Sequence, residues 1–214
     1  MTARYEVTAE LDRASLSSLQ LVVLILCFLV ATFDGMDAQI IAFAAPWMMP
    51  DLGIEEGSLG IVFAAATIGM AFGAVIFGYL GDLFGRKRIV VITVVMFSIF
   101  TPLAGLASNL NELLVIRFVT GIGMGGALPN AVTLVAEYSA QRQRRMMVSV
   151  MYMGFAAGGI LGSLAAKVLI EPFGWQSIFY FGGVAPLLLV PFLLRYMPES
   201  MHYLVRQVGQ DRRV

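Results

Sequence analysis

Two aspartates, Asp34 and Asp37, lie three residues apart in the segment FDGMDAQ (33–39), inside an otherwise apolar stretch. Residues 21–33 and 40–49 carry no charge. An unpaired charge at the centre of a bilayer costs roughly 2.5–3.5 kcal/mol on insertion scales, so these carboxylates need partners. A carboxylate in a low-dielectric cavity takes up a proton when it loses a cationic partner and stays ionised when it keeps one. The segment therefore predicts a site that can bind and release protons.

The composition indicates that a lipid bilayer surrounds these aspartates. Of the 214 residues, 59% are hydrophobic and only 13% are charged, and the mean hydropathy is +0.84. A soluble domain has about 25% charged residues, so this chain has too few to cover a soluble surface. The net charge of zero gives no reason to expect a nucleic-acid partner.

Residues that could support catalysis are scarce. Cys27 is the only cysteine and His202 the only histidine, so we expect no metal site and no Ser–His intramembrane protease. The two aspartates share one helix, whereas an aspartyl intramembrane protease would need them on different helices. No phosphate-binding loop of the form G-x-x-x-x-G-K-[ST] is present. The sequence predicts neither an enzyme nor a bound cofactor.

Six segments are long and apolar enough to span a bilayer, since a spanning helix needs about 20 mostly apolar residues. They are residues 19–49, 59–80, 89–107, 113–138, 147–170 and 178–196. Short polar links join them, and Pro46 favours a kink near the end of the first. We therefore predict an all-α integral membrane protein with six transmembrane helices.

Basic residues indicate the orientation of these segments. If both termini lie on one side, that side holds twelve of the 14 basic residues, the opposite side holds only Lys167, and Arg117 lies within the fourth segment. Because lysine and arginine accumulate on the cytoplasmic side, we expect both termini to be cytoplasmic. The twelve residues are Arg4, Arg13, Arg86, Lys87, Arg88, Arg142, Arg144, Arg145, Arg195, Arg206, Arg212 and Arg213.

Arg117 is the basic residue at the depth of the two aspartates. Asp34 lies about 22 Å along the first helix, and Asp37 lies one turn further on nearly the same face. All three therefore fall in the outer half of the bilayer, which permits either an Asp34–Arg117 or an Asp37–Arg117 contact. Such a pair could be a static lock between two helices. Alternatively, an arginine that moves between an aspartate and a substrate anion would couple proton binding to substrate binding.

The segment GYLGDLFGRKR (78–88) is the most distinctive in the chain. Asp82 comes four and five residues before Arg86 and Lys87. The segment could be a basic cytoplasmic loop that only orients the protein. Three glycines in it allow a tight turn and close helix approach, namely Gly78, Gly81 and Gly85.

This segment resembles, position by position, the cytoplasmic signature loop of the major facilitator superfamily of transporters. Glu137 and Arg144, in the spacing E-x6-R, add to the resemblance. In that superfamily such groups form a charge network that closes the inward gate, which implies the members Asp82, Arg86, Glu137 and Arg144 here. Pairs at a membrane–water boundary contribute about 1 kcal/mol or less, which suits a gate that opens and closes.

Other segments resemble one family within that superfamily, the aromatic acid:proton symporters of the 4-hydroxybenzoate type. They are the D-G-x-D pattern at 34–37, LLVIRFVTGIGMGGALPNAVTL in the fourth helix, AEY at its end and YMPES after the sixth. The resemblance implies that Asp34, Asp37 and Arg117 are required for symport of a small aromatic carboxylate, such as 4-hydroxybenzoate or benzoate, with a proton. Met36 stands where an aromatic residue or leucine is usual, which leaves the substrate open, and nicotinate or another small organic acid is an alternative.

Runs of small residues predict where helices pack closely. GMAFG (69–73), GIGMG (121–125) and GFAAGGILG (154–162) place glycines four residues apart on three helices. Such spacing lets backbones approach each other in lipid. The third run departs from the antiporter motif of the superfamily, because Gly159 stands where that motif has proline.

The resemblance implies half of a transporter in a bacterial inner membrane. Superfamily members have two six-helix halves, each a pair of inverted three-helix repeats. We expect a cytoplasmic segment at 1–18, a six-helix N-terminal half at 19–197 and the start of a central cytoplasmic loop at 198–214. The chain would be a fragment, the partner of a separate C-terminal half, or one of two assembled copies. A membrane sensor or scaffold without transport activity is the alternative from another class.

Overall fold

The computed structural model describes residues 17–205. Within them the chain forms six long helices, and each is long and apolar enough to cross a membrane. The prediction of an all-α protein with six spans is therefore confirmed. The helices are α1 (Ser18–Leu52), α2 (Leu59–Phe84), α3 (Arg86–Ala104), α4 (Leu110–Tyr138), α5 (Arg144–Phe173) and α6 (Gln176–Tyr196). Most of the predicted segments 1–18 and 198–214, with Arg4, Arg13, Arg206, Arg212 and Arg213, lies outside the described residues.

Several helices extend past their predicted ends. α1 starts in a capping box made by Ser17 and Gln20, remains helical past Pro46 and Pro50, and ends at the left-handed Gly53. Charged residues at helix ends lower the local hydropathy, although the backbone there continues to form helical hydrogen bonds. For that reason Arg86 and Lys87 form the first turn of α3 and do not lie in a loop as predicted.

The helices pair in a pattern that reflects two repeats. α1 packs mainly against α5, α2 packs mainly against α4, and α3 packs against both α4 and α6. If α1–α3 and α4–α6 are equivalent, the α1–α5 pair corresponds to the α4–α2 pair. This exchange of partners is expected of two inverted three-helix repeats.

Glycines allow the two equivalent pairs to approach each other at backbone distance. A methyl group at Gly154 or Gly158 of α5 would overlap backbone atoms of α1, around Phe28 and Thr32 respectively. The same holds where α2 meets α4, since a methyl group at Gly125 would overlap the carbonyl of Met70. The predicted packing role of the glycine runs is thus visible in the helix contacts.

The core has two apolar layers with a polar layer between them. One layer includes α1 residues up to Val30, and the other begins on α1 at Ile40. α4 contributes Leu113 to the second layer and Met124 to the first. Between these positions α1 carries buried Asp34 and Asp37, and α4 carries buried Arg117 and Thr120. On α3, buried Thr101 lies between Phe97 of the first layer and Ala104 of the second.

A hydrogen bond joins two helices at one end of the bundle, and basic side chains mark the other end. We call the end at which α2, α4 and α6 finish the basic end, because Arg86, Lys87 and Arg195 lie there. At the opposite end the Trp175 indole Nε1 donates to the Asp51 carboxylate at 2.8 Å, which joins the start of α6 to the end of α1.

Replacing Gly158 by alanine should lower the thermal stability of the chain in detergent. The added methyl group would overlap the Thr32 carbonyl, and overpacking of this kind costs about 1–3 kcal/mol. The unfolding midpoint can be followed with a thiol-reactive dye, because Cys27 is the only cysteine and is fully buried. Gly78→Ala is the matched control, since a methyl group at Gly78 meets nothing within 4 Å. Equal midpoints for the two variants would contradict this account of the α1–α5 contact.

Candidate functional site

An ion pair lies at the centre of the polar layer. The Arg117 Nη1 of α4 is 3.1 Å from the Asp37 Oδ2 of α1, and Arg117 Nη2 donates to the backbone oxygen of Asp37 at 3.1 Å. Asp37 is 0% exposed and Arg117 is 1% exposed. The pair is therefore fully desolvated in the described part of the chain, and its stability depends on good geometry and satisfied hydrogen bonds. Of the two contacts that the sequence left open, the structure forms the one with Asp37.

A third helix contributes to this pair. The Thr101 hydroxyl of α3 donates to Asp37 Oδ1 at 2.6 Å, so α1, α3 and α4 meet at one carboxylate. Thr101 was not predicted from the sequence. Its only signal is a hydroxyl in an apolar segment next to Pro102, and most threonines in such segments bond to their own backbone.

Asp34 is buried without a partner. It is 0% exposed, and neither carboxylate oxygen has a hydrogen-bond partner among residues 17–205. A buried carboxylate that is neither paired nor hydrogen-bonded is costly in its charged form, and protonation removes that cost. The two aspartates of one helix turn thus have different surroundings, and only Asp37 is held by a cation.

Arg117 keeps a donor for a further acceptor. A guanidinium carries five N–H donors and no acceptor. Nη1 and Nη2 bond to Asp37, whereas Nε is buried and has no partner within the described ranges. An anion that reached this edge of the guanidinium would meet an unsatisfied donor and a positive charge. Arg117 therefore keeps a buried N–H group that Asp37 does not use.

A second cluster of charges lies at the basic end. Arg86 pairs with Asp82 one turn before it and lies 3.9 Å from Glu137 of α4. Its Nη1 also donates to the Asn130 side chain at 3.4 Å. Asn130 is fully buried and donates to the backbone oxygens of Phe77 in α2 and Gly126 in its own helix. The sequence analysis named the three charged residues but did not identify Asn130.

The residues after α6 fold back onto this cluster. The Glu199 carboxylate accepts from the backbone nitrogens of Lys87 and Ser200, both at 2.9 Å. The Tyr138 hydroxyl donates to the backbone oxygen of Glu199 at 2.7 Å. Glu137 in turn accepts from the Ser200 hydroxyl and the Met201 nitrogen. Glu199 therefore fixes the start of α3 against the ends of α4 and α6, a role that the YMPES segment did not reveal.

The three glycines of the 78–88 segment have different surroundings. Gly85 adopts φ +99°, which favours glycine, and a methyl group there would also meet the Glu199 carboxylate. A methyl group at Gly81 would overlap the Asn130 side chain. Gly78 faces open space. The predicted close approach thus occurs at two of the three positions.

Arg144 is placed differently from the other predicted members of the charge network. The structure joins Asp82, Arg86 and Glu137, but none of the ion pairs formed within residues 17–205 includes Arg144. Its Nε is buried and has no hydrogen-bond partner in that part of the chain. Glu137 is occupied by the backbone and hydroxyl donors at residues 200 and 201.

Comparison with known proteins identifies relatives over nearly the whole chain. A family model described as the Major Facilitator Superfamily matches residues 27–213. The 4-hydroxybenzoate transporter PcaK of Pseudomonas aeruginosa is 41% identical over 210 residues, which cover 98% of this chain and 47% of that protein. A gallate transporter of Pseudomonas putida is 39% identical over 194 residues, which cover 91% of this chain and 43% of that protein.

A solved structure shows the same arrangement of helices. The structure of the proton:xylose symporter XylE, bound to 6-bromo-6-deoxy-D-glucose, aligns with a TM-score of 0.79 and 21% identity. The alignment covers 91% of this chain and 48% of that chain. Similarity at this identity shows the fold alone, and it confirms the prediction of one six-helix half. The chain spans about half the length of the curated relatives it matches.

The Asp37–Arg117 pair predicts an asymmetry between single substitutions. Asp37→Leu leaves a buried guanidinium that cannot lose its proton, whereas Arg117→Met leaves a carboxylate that can be neutralised by a proton. Removal of one partner of a buried pair costs about 3–5 kcal/mol, and replacement of both by apolar residues restores much of it. We therefore expect Asp37→Leu to have the lowest thermal unfolding midpoint of the three variants. Both Arg117→Met and the double variant should unfold at higher temperatures than Asp37→Leu.

The control for this comparison is Asp82→Asn. Asp82 is 63% exposed in its side chain, so loss of its pair with Arg86 should change stability by about 1 kcal/mol or less. If the double variant unfolded at a lower temperature than Asp37→Leu, the ion pair would not be what constrains the two helices.

Proposed function

Because the chain belongs to the Major Facilitator Superfamily, we propose that it forms the N-terminal half of a proton-coupled symporter for small aromatic carboxylates. The observation that carries the proposal is the desolvated Asp37–Arg117 pair, in which Arg117 keeps an unsatisfied buried donor. Such a guanidinium suits a carboxylate ligand, because its planar donors match carboxylate geometry. The same pair contains the carboxyl group that must respond when the arginine changes partner.

The relatives support an aromatic acid as the substrate class. Their names give 4-hydroxybenzoate and gallate as substrates, and both compounds carry a carboxylate on a benzene ring with different hydroxylation. The shared carboxylate is the group that Arg117 would bind. Ring contacts and hydroxyl recognition would fall partly to the half of the protein that lies beyond this chain. Nicotinate has the same carboxylate on an aromatic ring and is the first competitor to test.

Coupling follows from the competition for Arg117. When a substrate carboxylate takes Arg117, Asp37 remains buried without its cation, and neutralisation by a proton removes the cost of its charge. Asp34, one turn away and without a partner within residues 17–205, is the group that would pass a proton to Asp37 and take up another from solution, so that one proton enters the site for each substrate. Substrate anion and proton thus occupy the site together. When the site has opened to the other side of the membrane, return of Arg117 to Asp37 would release both the substrate and the proton.

The basic end would serve as the inner gate of this transporter. Asp82, Arg86 and Glu137 form its ion pairs, and Gly85 and Lys87 connect it to Glu199. Asp82 is exposed, and a pair of that kind contributes about 1 kcal/mol or less, so its contact with Arg86 can break and form during each transport cycle. Arg144 and Gly78 belong to the proposed gate through their positions in the superfamily pattern. A contact from the other half of the transporter would give Arg144 the partner that residues 17–205 do not provide.

We place the protein in a bacterial inner membrane with both termini in the cytoplasm. Arg86, Lys87 and Arg195 at the basic end support this orientation, since basic residues accumulate on the cytoplasmic side. Segment 1–18 would then precede the transporter half at 19–197, and 198–214 would begin the central loop. Alternating access requires a second six-helix half, either the C-terminal half of the same protein, a separate chain or a second copy.

Uptake of labelled 4-hydroxybenzoate tests the proposed function. The assay uses cells or proteoliposomes that contain this chain together with the second six-helix half that completes the transporter, with an imposed proton gradient. We expect uptake to depend on the gradient. Unlabelled benzoate or nicotinate should reduce the uptake of labelled 4-hydroxybenzoate to the extent that the protein also accepts that acid. Absence of gradient-driven uptake of 4-hydroxybenzoate, and of labelled benzoate and nicotinate in the same assay, would contradict the proposal.

Substitution of either aspartate should stop accumulation of the substrate but not its exchange across the membrane. Asp34→Asn and Asp37→Asn should each abolish gradient-driven accumulation of the substrate, because neither amide can carry the proton. Exchange of labelled for unlabelled substrate needs no net proton movement and should persist. Glu55→Gln is the matched control, since Glu55 is exposed outside the helices and its substitution should change neither activity. Full accumulation by both aspartate variants would exclude these residues from coupling.

A further inference from the structure

We propose that Thr101 is a positioning residue that holds the Asp37 carboxyl group in place in both of its protonation states. The inference rests on the proposed function, because it concerns the same coupling site. Thr101 lies on α3, which carries neither the aspartates nor Arg117, and no comparison assigns it a role.

The hydrogen bond of Thr101 differs from those of the other buried threonines in the described chain. The hydroxyls of Thr32, Thr93 and Thr120 each donate to a backbone oxygen three or four residues before them in the same helix. The Thr101 hydroxyl instead crosses to α1 and donates to Asp37 Oδ1 at 2.6 Å. The two oxygens of the Asp37 carboxylate are thus divided between α3 and α4.

A hydroxyl group can form a hydrogen bond with Asp37 both when its carboxyl group is ionised and when it is protonated. Arginine is only a donor, so it can bond to the ionised carboxylate but cannot accept a bond from the protonated acid. A threonine hydroxyl is both donor and acceptor. When Arg117 leaves and Asp37 takes a proton, Thr101 can accept from the Asp37 hydroxyl and donate to the backbone four residues before it, as Thr93 and Thr120 do.

The surroundings of Thr101 fix its position. It is 0% exposed and directly precedes Pro102 in α3. Gly183 of α6 packs against the Pro102 ring so closely that a methyl group on Gly183 would overlap it. α3 is therefore held at this level by α6, while α1 and α4 carry the two charges. Thr101 therefore holds its hydroxyl at a fixed position beside the Asp37 carboxyl group while the other partner of that group, Arg117, changes.

Thr101→Val tests the inference, because valine keeps the shape of threonine and removes the hydroxyl. Hydrogen bonds to charged groups are among the strong ones, so the maximal rate of gradient-driven uptake should fall about ten-fold or more. KM for the substrate should stay the same or fall, because Asp37 would compete less well for Arg117. Thr101→Ser keeps the hydroxyl and should restore most of the rate. Thr93→Val is the matched control on the same helix and should transport like the wild type.

A second readout does not need transport. Dicyclohexylcarbodiimide modifies protonated carboxyl groups in apolar surroundings, and mass spectrometry of the purified protein locates the label. Asp37 should be labelled little in the wild type and several-fold more in Thr101→Val, with no increase in Thr93→Val. If the valine variant fails to reach the membrane, Thr101→Ala provides the same loss of the hydroxyl.

The outcomes separate this inference from the proposed function. If the wild type transports no aromatic acid, the proposed function is wrong, and the labelling of Asp37 still decides whether Thr101 positions it. If the wild type transports but Thr101→Val matches it in rate and labelling, the role of Thr101 is refuted. The same conclusion follows if Thr93→Val loses as much activity or if Thr101→Ser fails to restore it.

Discussion

The contact between Asp37 and Arg117 is the constraint on which the rest of this bundle depends. Two desolvated charges are tolerated only where their geometry is good and their other hydrogen-bonding groups are satisfied. At the carboxylate this requirement brings three helices together, because Thr101 of α3 bonds to the second oxygen of Asp37, whereas Arg117 Nε has no partner within residues 17–205. Apolar layers lie on either side of the pair, and glycines pack α5 against α1 and α2 against α4 around it. Stability and the proposed coupling chemistry thus depend on the same atoms.

The two charged regions differ in strength for a physical reason. The pair in the polar layer is buried, so a change of partner there must be compensated by another anion and by a proton. At the basic end Asp82 is 63% exposed in its side chain, and water can replace its partner at little cost. In the proposed transport cycle the buried site would respond only to substrate and proton together, and the basic end would open once the buried site had responded.

The helices were predictable from sequence, whereas several contacts were not. Hydropathy shows six spans because a bilayer requires long apolar helices, although it places Arg86 outside α3 since charge lowers hydropathy at helix ends. Depth along the helices identified Arg117 as the partner of one aspartate, but Asp34 and Asp37 are one turn apart and only the packed structure distinguishes them. Thr101 and Glu199 meet their partners across 64 and 112 residues, which no local pattern reveals.

Proton uptake on substrate binding tests the central claim most directly. This chain, purified with its second six-helix half in weakly buffered detergent solution, is mixed with 4-hydroxybenzoate while a pH indicator follows the free proton concentration. If the substrate carboxylate takes Arg117 from Asp37, binding should remove about one proton per substrate from solution, and Asp37→Asn should abolish that uptake while still binding substrate. Binding by the wild type with no change in proton concentration would contradict the exchange of partners at Arg117.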